Sequence, residues 1–96
     1  MPRFDFGEAF ASESSFMELA QTLEDTGVAA YNGAGPLVEQ NDILTAAGQI
    51  VQVEARHAAL VRWERGVDIV DSPFDNGRPM DQIQREVTPY VVVESL

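Results

Sequence analysis

The sequence predicts an all-α fold, an antiparallel two-helix hairpin plus a short C-terminal helix that dimerises into a four-helix bundle. Three observations predict it. Apolar and small residues recur at helical spacing over two long stretches, 12–34 and 41–65. The connection between them, 35–40, is short and opens with Gly35-Pro36, and short connections join antiparallel neighbours. Each stripe also interrupts its hydrophobes with an acid: Glu24 in the first, and Glu54, followed by His57, in the second.

Residues 1–11 alternate Phe4, Phe6 and Phe10 with Asp5 and Glu8, and Gly7 breaks the run. They are expected to form an extended arm laying aromatic rings on the helices. A strand here would need a second strand to pair with, and the sequence shows no clear one. Helix one is expected from Ser12 as N-cap, with Ser15 and Glu18 offering a second capping box one turn later. Its stripe reads Phe16, Ala20, Leu23, Gly27, Ala30, Tyr31 and Ala34, joined by Glu24 and Val28; Gly33, Gly35 and Pro36 are expected to end it. Gly27 in mid-helix costs about 1 kcal/mol relative to alanine. It makes sense where another backbone or a metal site comes close.

Helix two is expected from Asn41 as N-cap to about Arg65, with Gly66 as its stop. Leu44, Ala47, Ile50, Val51, Glu54, His57, Ala58 and Val61 form one stripe, while Val53, Leu60 and Trp63 widen the apolar surface beyond what one partner helix needs. Residues 66–96 hold a turn-rich loop over 71–79, a short amphipathic helix with Met80, Ile83 and Val87 on one face, and the apolar ending Tyr90-Val-Val-Val93. That ending is expected as an extended tail or a short strand. The whole chain is expected to be a single half-bundle domain, 1–96.

Composition narrows the function. The net charge of −10, with six arginines as the entire basic complement, argues against nucleic acid as a partner. There is no cysteine, which excludes disulfides, thiolate metal sites and thiol nucleophiles. No stretch is long and apolar enough to span a bilayer, so no membrane is expected as a partner. The N-terminus lacks the pattern of a signal peptide, so a native start at Met1 implies the cytoplasm.

Glu54 and His57 are an i, i+3 pair on one side of a helix. Glu-x-x-His in that setting is half of a carboxylate-bridged di-metal site. Glu24 lies roughly 15 Å before the hairpin bend and Glu54 roughly 18 Å after it, at 1.5 Å per residue. The two carboxylates therefore stand at nearly the same height. Both occupy stripe positions, where an unpaired carboxylate is costly, so each needs a cation, a proton or a strong donor. Hard oxygens beside an imidazole suit iron, manganese or zinc. The competing reading is a satisfied polar core in which Glu54 meets Arg56 or Arg62 of a neighbour. One hairpin supplies two carboxylates and one histidine and leaves apolar surface bare. A two-fold homodimer, or a higher even-numbered homo-oligomer, completes the ligands and covers that surface.

The segments Leu23-Glu-Asp-Thr-Gly-Val-Ala-Ala-Tyr-Asn-Gly-Ala34 and Val53-Glu-Ala-Arg-His-Ala-Ala59 resemble the ferritin-like domain family that includes desiccation-related proteins. So do the arm Phe4-Asp-Phe-Gly7 and the segment from Pro73-Phe-Asp to Val87-Thr-Pro, and the resemblance covers most of 4–90. Full-length members carry two such hairpins, and this chain matches the second. It is either a fragment, whose partner is the missing hairpin, or a half-length protein. In the latter case it is similar to the encapsulated ferritins, which build a ferroxidase site across a dimer interface and work inside a shell. The resemblance implies Glu24, Glu54 and His57 as metal ligands and catalytic residues, and Tyr31, two turns after Glu24, as a neighbour of the site. It implies a di-iron centre, with manganese or zinc as substitutes, and oxidation of Fe²⁺ by oxygen or peroxide. Leu23 and Thr26 stand where the encapsulated members carry extra acids beside the first ligand. The alternative is a non-enzymatic scaffold or stress-protective assembly module with an empty or structural metal site.

Overall fold

The computed structural model describes residues 2–70, 72 and 74–92. Met1, Asp71, Pro73 and 93–96, including Val93 of the apolar ending, lie outside the described residues.

Two long helices, α1 (Glu13–Ala34) and α2 (Asn41–Arg65), form the expected hairpin. The start of α1 is fixed by a reciprocal pair. The Ser12 hydroxyl accepts from the Ser15 N–H at 3.0 Å, and the Ser15 hydroxyl accepts from the Ser12 N–H at 3.2 Å. Ser15 thus completes the box of Ser12 instead of opening one with Glu18. α1 ends at Ala34 as expected, but without a left-handed glycine cap. Gly35 is right-handed (φ −48°), and the chain tightens into a single 3₁₀ turn over Gly35–Leu37 before Val38 turns extended. Pro36 breaks the helix because it has no N–H to donate. Gln40, not Asn41, occupies the N-cap of α2, and its side chain makes no capping bond. Gly66 ends α2 in the left-handed region (φ 72°), with its N–H on the Arg62 and Trp63 carbonyls, and Arg62 and Arg65 in the last turn complement the helix dipole.

Two polar links tie the hairpin toward its open end. Arg62 Nη2 donates to Asp25 Oδ2 at 2.7 Å, and Arg65 Nη1 to Gln21 Oε1 at 2.6 Å. The third helix, α3 (Met80–Val87), lies against α1 and buries Ile83, while Met80 of the same face stays exposed. The loop before α3 is strapped to α1 by backbone. The Arg78 N–H reaches the Ala29 carbonyl at 3.0 Å, and Gly33 faces Gly77 so closely that a Cβ on either would overlap the other strand of backbone. Gly33 therefore serves this close approach and is not the helix stop.

The fold is mostly helical, yet it departs from all-α at the chain ends. β1 (Arg3–Phe4) pairs antiparallel with β2 (Val91–Val92), setting Arg3 against Val92 and Phe4 against Val91. The β-branched ending supplies the second strand that the arm needs. The Asp5 N–H bonds the Tyr90 carbonyl at 2.7 Å, and the Phe6 ring lies 5.6 Å from that of Tyr90. Beyond β1 the arm is not extended: Gly7–Ala11 forms a 3₁₀ turn. Phe6, Phe10 and Phe16 continue as a run of ring contacts at 6.1 and 5.9 Å onto the start of α1.

The core is small. Among the described residues its buried hydrophobes are Val28, Ala29, Ala58 and Ile83, and Thr26 is buried as well. The molecule measures 44 × 41 × 19 Å, and its radius of gyration is 14.8 Å. A compact chain of this length would have about 12–13 Å. No helix among the described residues is long and apolar enough to cross a membrane.

Candidate metal centre

Helical spacing decides what meets between α1 and α2. Val28 and Ala58 are small enough to bring the two helices together, and both are nearly fully buried. One turn before Val28 sits Glu24, and one turn before Ala58 sits Glu54. Both acids are partly buried, and they lie close enough for their charges to repel. His57 Nδ1 stands 3.5 Å from Glu24 Oε1. The side chain of His57 is 54% exposed and that of Glu24 only 25%. The site therefore has a covered carboxylate floor and an open imidazole edge.

Glu24 is the strained member. Its Oε2 is buried and has no hydrogen-bond partner. Its pKa is pushed up to about 7, first by burial, then by the proton it can share with Glu54 and by the charge of Glu54, while His57 pulls it down. With both acids ionised, two negative charges stand side by side and the buried Oε2 has no donor, a cost that a proton or a cation would relieve.

Gly27 explains how the second acid fits. A Cβ on Gly27 would stand 3.0 Å from Glu54 Oε2, so the missing side chain leaves room for this carboxylate against α1. Gly27→Ala is therefore expected to leave the metal-free protein equally stable or firmer by up to about 1 kcal/mol, because alanine is the better helix former. It is also expected to push Glu54 aside and weaken Mn²⁺ or Fe²⁺ binding about tenfold. Isothermal titration beside a thermal melt reads both effects.

Glu24, Glu54 and His57 thus lie together in one chain. Tyr31 is partly buried two turns further along α1, and among the described residues no hydrogen bond reaches its hydroxyl. Arg62 is engaged with Asp25 on another side of the hairpin, well suited to holding α1 and α2 in register. Sequence reasoning missed that role of Arg62, which it set only against Glu54 of a neighbour. Among the described residues no group of three or more His, Asp or Glu side chains is gathered tightly enough to hold a metal ion by itself. The single chain presents three donors loosely, at the edge of an open face.

No curated protein and no solved structure matches the chain. The family model of the ferritin-like domain matches residues 1–66, which take in the arm and both helices that carry the three donors, and leave the loop, α3 and β2 outside. The chain belongs to the ferritin-like domain family.

Proposed function

We propose that two copies of the chain pack their open faces together and hold a carboxylate-bridged pair of metal ions between Glu24, Glu54 and His57 of each copy, where Fe²⁺ is oxidised. The observation that carries this reading is the buried Glu24 Oε2, which has no donor while a second acid crowds it. The donors fit the group. Carboxylate oxygens with one imidazole per metal suit iron, accept manganese and tolerate zinc. When bound, the metal pair supplies redox chemistry and charge neutralisation.

The rest falls to the chain. Glu24 and Glu54 attract the divalent cation and release their shared proton as it arrives. His57 adds a ring nitrogen from the exposed edge, which leaves the other nitrogen for a hydrogen-bond acceptor that fixes the ring. Val28 and Ala58 bury the contact between the helices one turn from the acids. Fe²⁺ enters as substrate, and its electrons pass to oxygen or peroxide. The dimer follows from surface as well as from ligand count. Phe16 and Leu23 of α1 and Ile50, Val53 and Leu60 of α2 are all exposed in the single chain. Burying them against a copy would contribute hydrophobic stabilisation that the small buried core of the single chain lacks.

A second reading is a ferritin-like assembly module without turnover. It is favoured by the loose gathering of donors within one chain and by the exposed His57. Elemental analysis on protein of known native mass separates the two. About one iron or manganese per chain in an even-numbered oligomer is expected. An intact oligomer that stays metal-free after loading would leave only the module.

A further inference from the structure

The strap over α1 joins two like dipeptides. Of the asparagines Asn32, Asn41 and Asn76, the first and last each precede a glycine, and these two Asn-Gly pairs are the ones that cross. A Cβ on Gly77 would stand 2.6 Å from Gly33 Cα and 2.7 Å from the Asn32 carbonyl carbon, so the contact is backbone on backbone. Around it, the Arg78 N–H donates to the Ala29 carbonyl at 3.0 Å, Arg78 Nη2 to the Asp25 carbonyl at 3.2 Å, and Asn32 Nδ2 to the Asp75 carbonyl at 3.4 Å.

The packing that requires glycine at both positions also makes both asparagines chemically fragile. A glycine nitrogen, with no side chain beside it, can attack the side-chain amide carbon of the asparagine before it. The N–Cγ bond forms, the Cγ–Nδ2 bond breaks, and ammonia leaves behind a five-membered succinimide. Water then opens either carbonyl of that ring, giving aspartate or isoaspartate without any change of oxidation state. Asparagine is thermolabile for this reason. The two sites differ in access. Gly33 lies within α1, where its N–H belongs to the helix ladder and is held away from the Asn32 side chain. Asn76 is exposed and outside every helix and strand. Among the described residues no hydrogen bond holds its side chain or the Gly77 N–H.

We propose that Asn76 is a site of spontaneous deamidation whose isoaspartate product releases the strap irreversibly. Cyclisation swings the Gly77 nitrogen toward Asn76 Cγ, so it runs when the crossing has parted. Isoaspartate, the favoured product, lengthens the main chain between 76 and 77 by one methylene, roughly 1.5 Å. A crossing with no room for a Cβ has no room for that carbon. The strap then stays open, and α3, which begins at Met80, loses the anchor that holds Ile83 on α1. The aspartate product keeps the original chain length and can close again. Neither a metal nor a second copy takes part, so the proposal stands or falls apart from the metal centre.

The wild-type chain, incubated at pH 8 and sampled over time, tests the site and the release. Peptide mass spectrometry locates the loss of ammonia, and hydrogen exchange follows the Arg78 N–H in fractions separated by ion exchange. Conversion at Asn76 is expected to outrun that at Asn32 at least about tenfold, the protection that one or two helix hydrogen bonds supply. Exchange protection of the Arg78 N–H is expected to be lost in the isoaspartate fraction. It is expected to survive the same incubation in Asn76→Gln, whose longer side chain must close a six-membered ring. Equal rates at Asn32 and Asn76, or conversion no faster at Asn76 than at Asn41, would overturn the site. Conversion as fast in the folded chain as in a free 74–80 peptide would overturn the guarding role of the crossing. An isoaspartate fraction that keeps the Arg78 N–H protected would overturn the release.

Discussion

Replacing Glu54 with alanine is expected to abolish Fe²⁺-dependent oxygen consumption, with a rate loss of about 10³-fold, down to that of iron in buffer. Changing a group that merely orients a metal ligand typically costs about 10–100-fold, and removing a bridging carboxylate costs more. In the proposed dimer the substitution acts twice, because each copy loses one of its two acids. What remains, Glu24 and His57, offers one carboxylate and one imidazole per chain. The loss is not expected to come from unfolding. Glu54 repels Glu24 in the metal-free protein, so its removal relieves an electrostatic cost. The variant should therefore keep its native mass and its melting temperature. Asp81→Ala is the matched control: this acid is exposed on α3 and engages Arg85 one turn on, and its removal should leave turnover unchanged. If wild type and Glu54→Ala consumed oxygen alike, no di-metal oxidation would occur at this site, and the assembly module would be the function.

The hairpin was legible because periodicity, turn chemistry and caps agree on it. Ser12, the Gly35-Pro36 break and Gly66 bound the two helices where the stripes begin and end. The site was legible for a different reason, since Glu24 and Glu54 violate the pattern of the stripes that hold them. What the sequence hid depends on contacts distant along the chain. The pairing of Arg3–Phe4 with Val91–Val92 joins opposite ends, and neither dipeptide carries a strand signal long enough to be read alone. Gly33 reads as a helix stop until Gly77 is seen packed on it. The Asp25–Arg62 pair spans 37 residues, and nothing local to either residue announces it.

The acid that makes the site should also destabilise the metal-free protein, in a pH-dependent way. Glu24 titrates at about 7 in the fold and near its ordinary 4.5 in the unfolded chain. Between those values the native state holds more protons than the unfolded state, so stability falls as pH rises from about 4.5 to about 7 and stays lower above it. Glu24→Gln removes the titration and keeps the shape. The variant is expected to be more stable than wild type at pH 8 by about 1–2 kcal/mol, a figure reduced from the full linkage value because the carboxyl keeps some water. The difference should shrink toward zero at pH 4.5, where Glu24 of the native protein is protonated. Metal reverses the order. Added Mn²⁺ binds the folded wild type and raises its stability by linkage, about 2.7 kcal/mol at one hundred times the dissociation constant, whereas Glu24→Gln gains little. Denaturant titrations at pH 5 and pH 8, with Mn²⁺ and with chelator, give the comparison. A satisfied polar core would behave oppositely, since Glu24→Gln would then lose a needed contact and destabilise the protein at both pH values, and Mn²⁺ would change nothing.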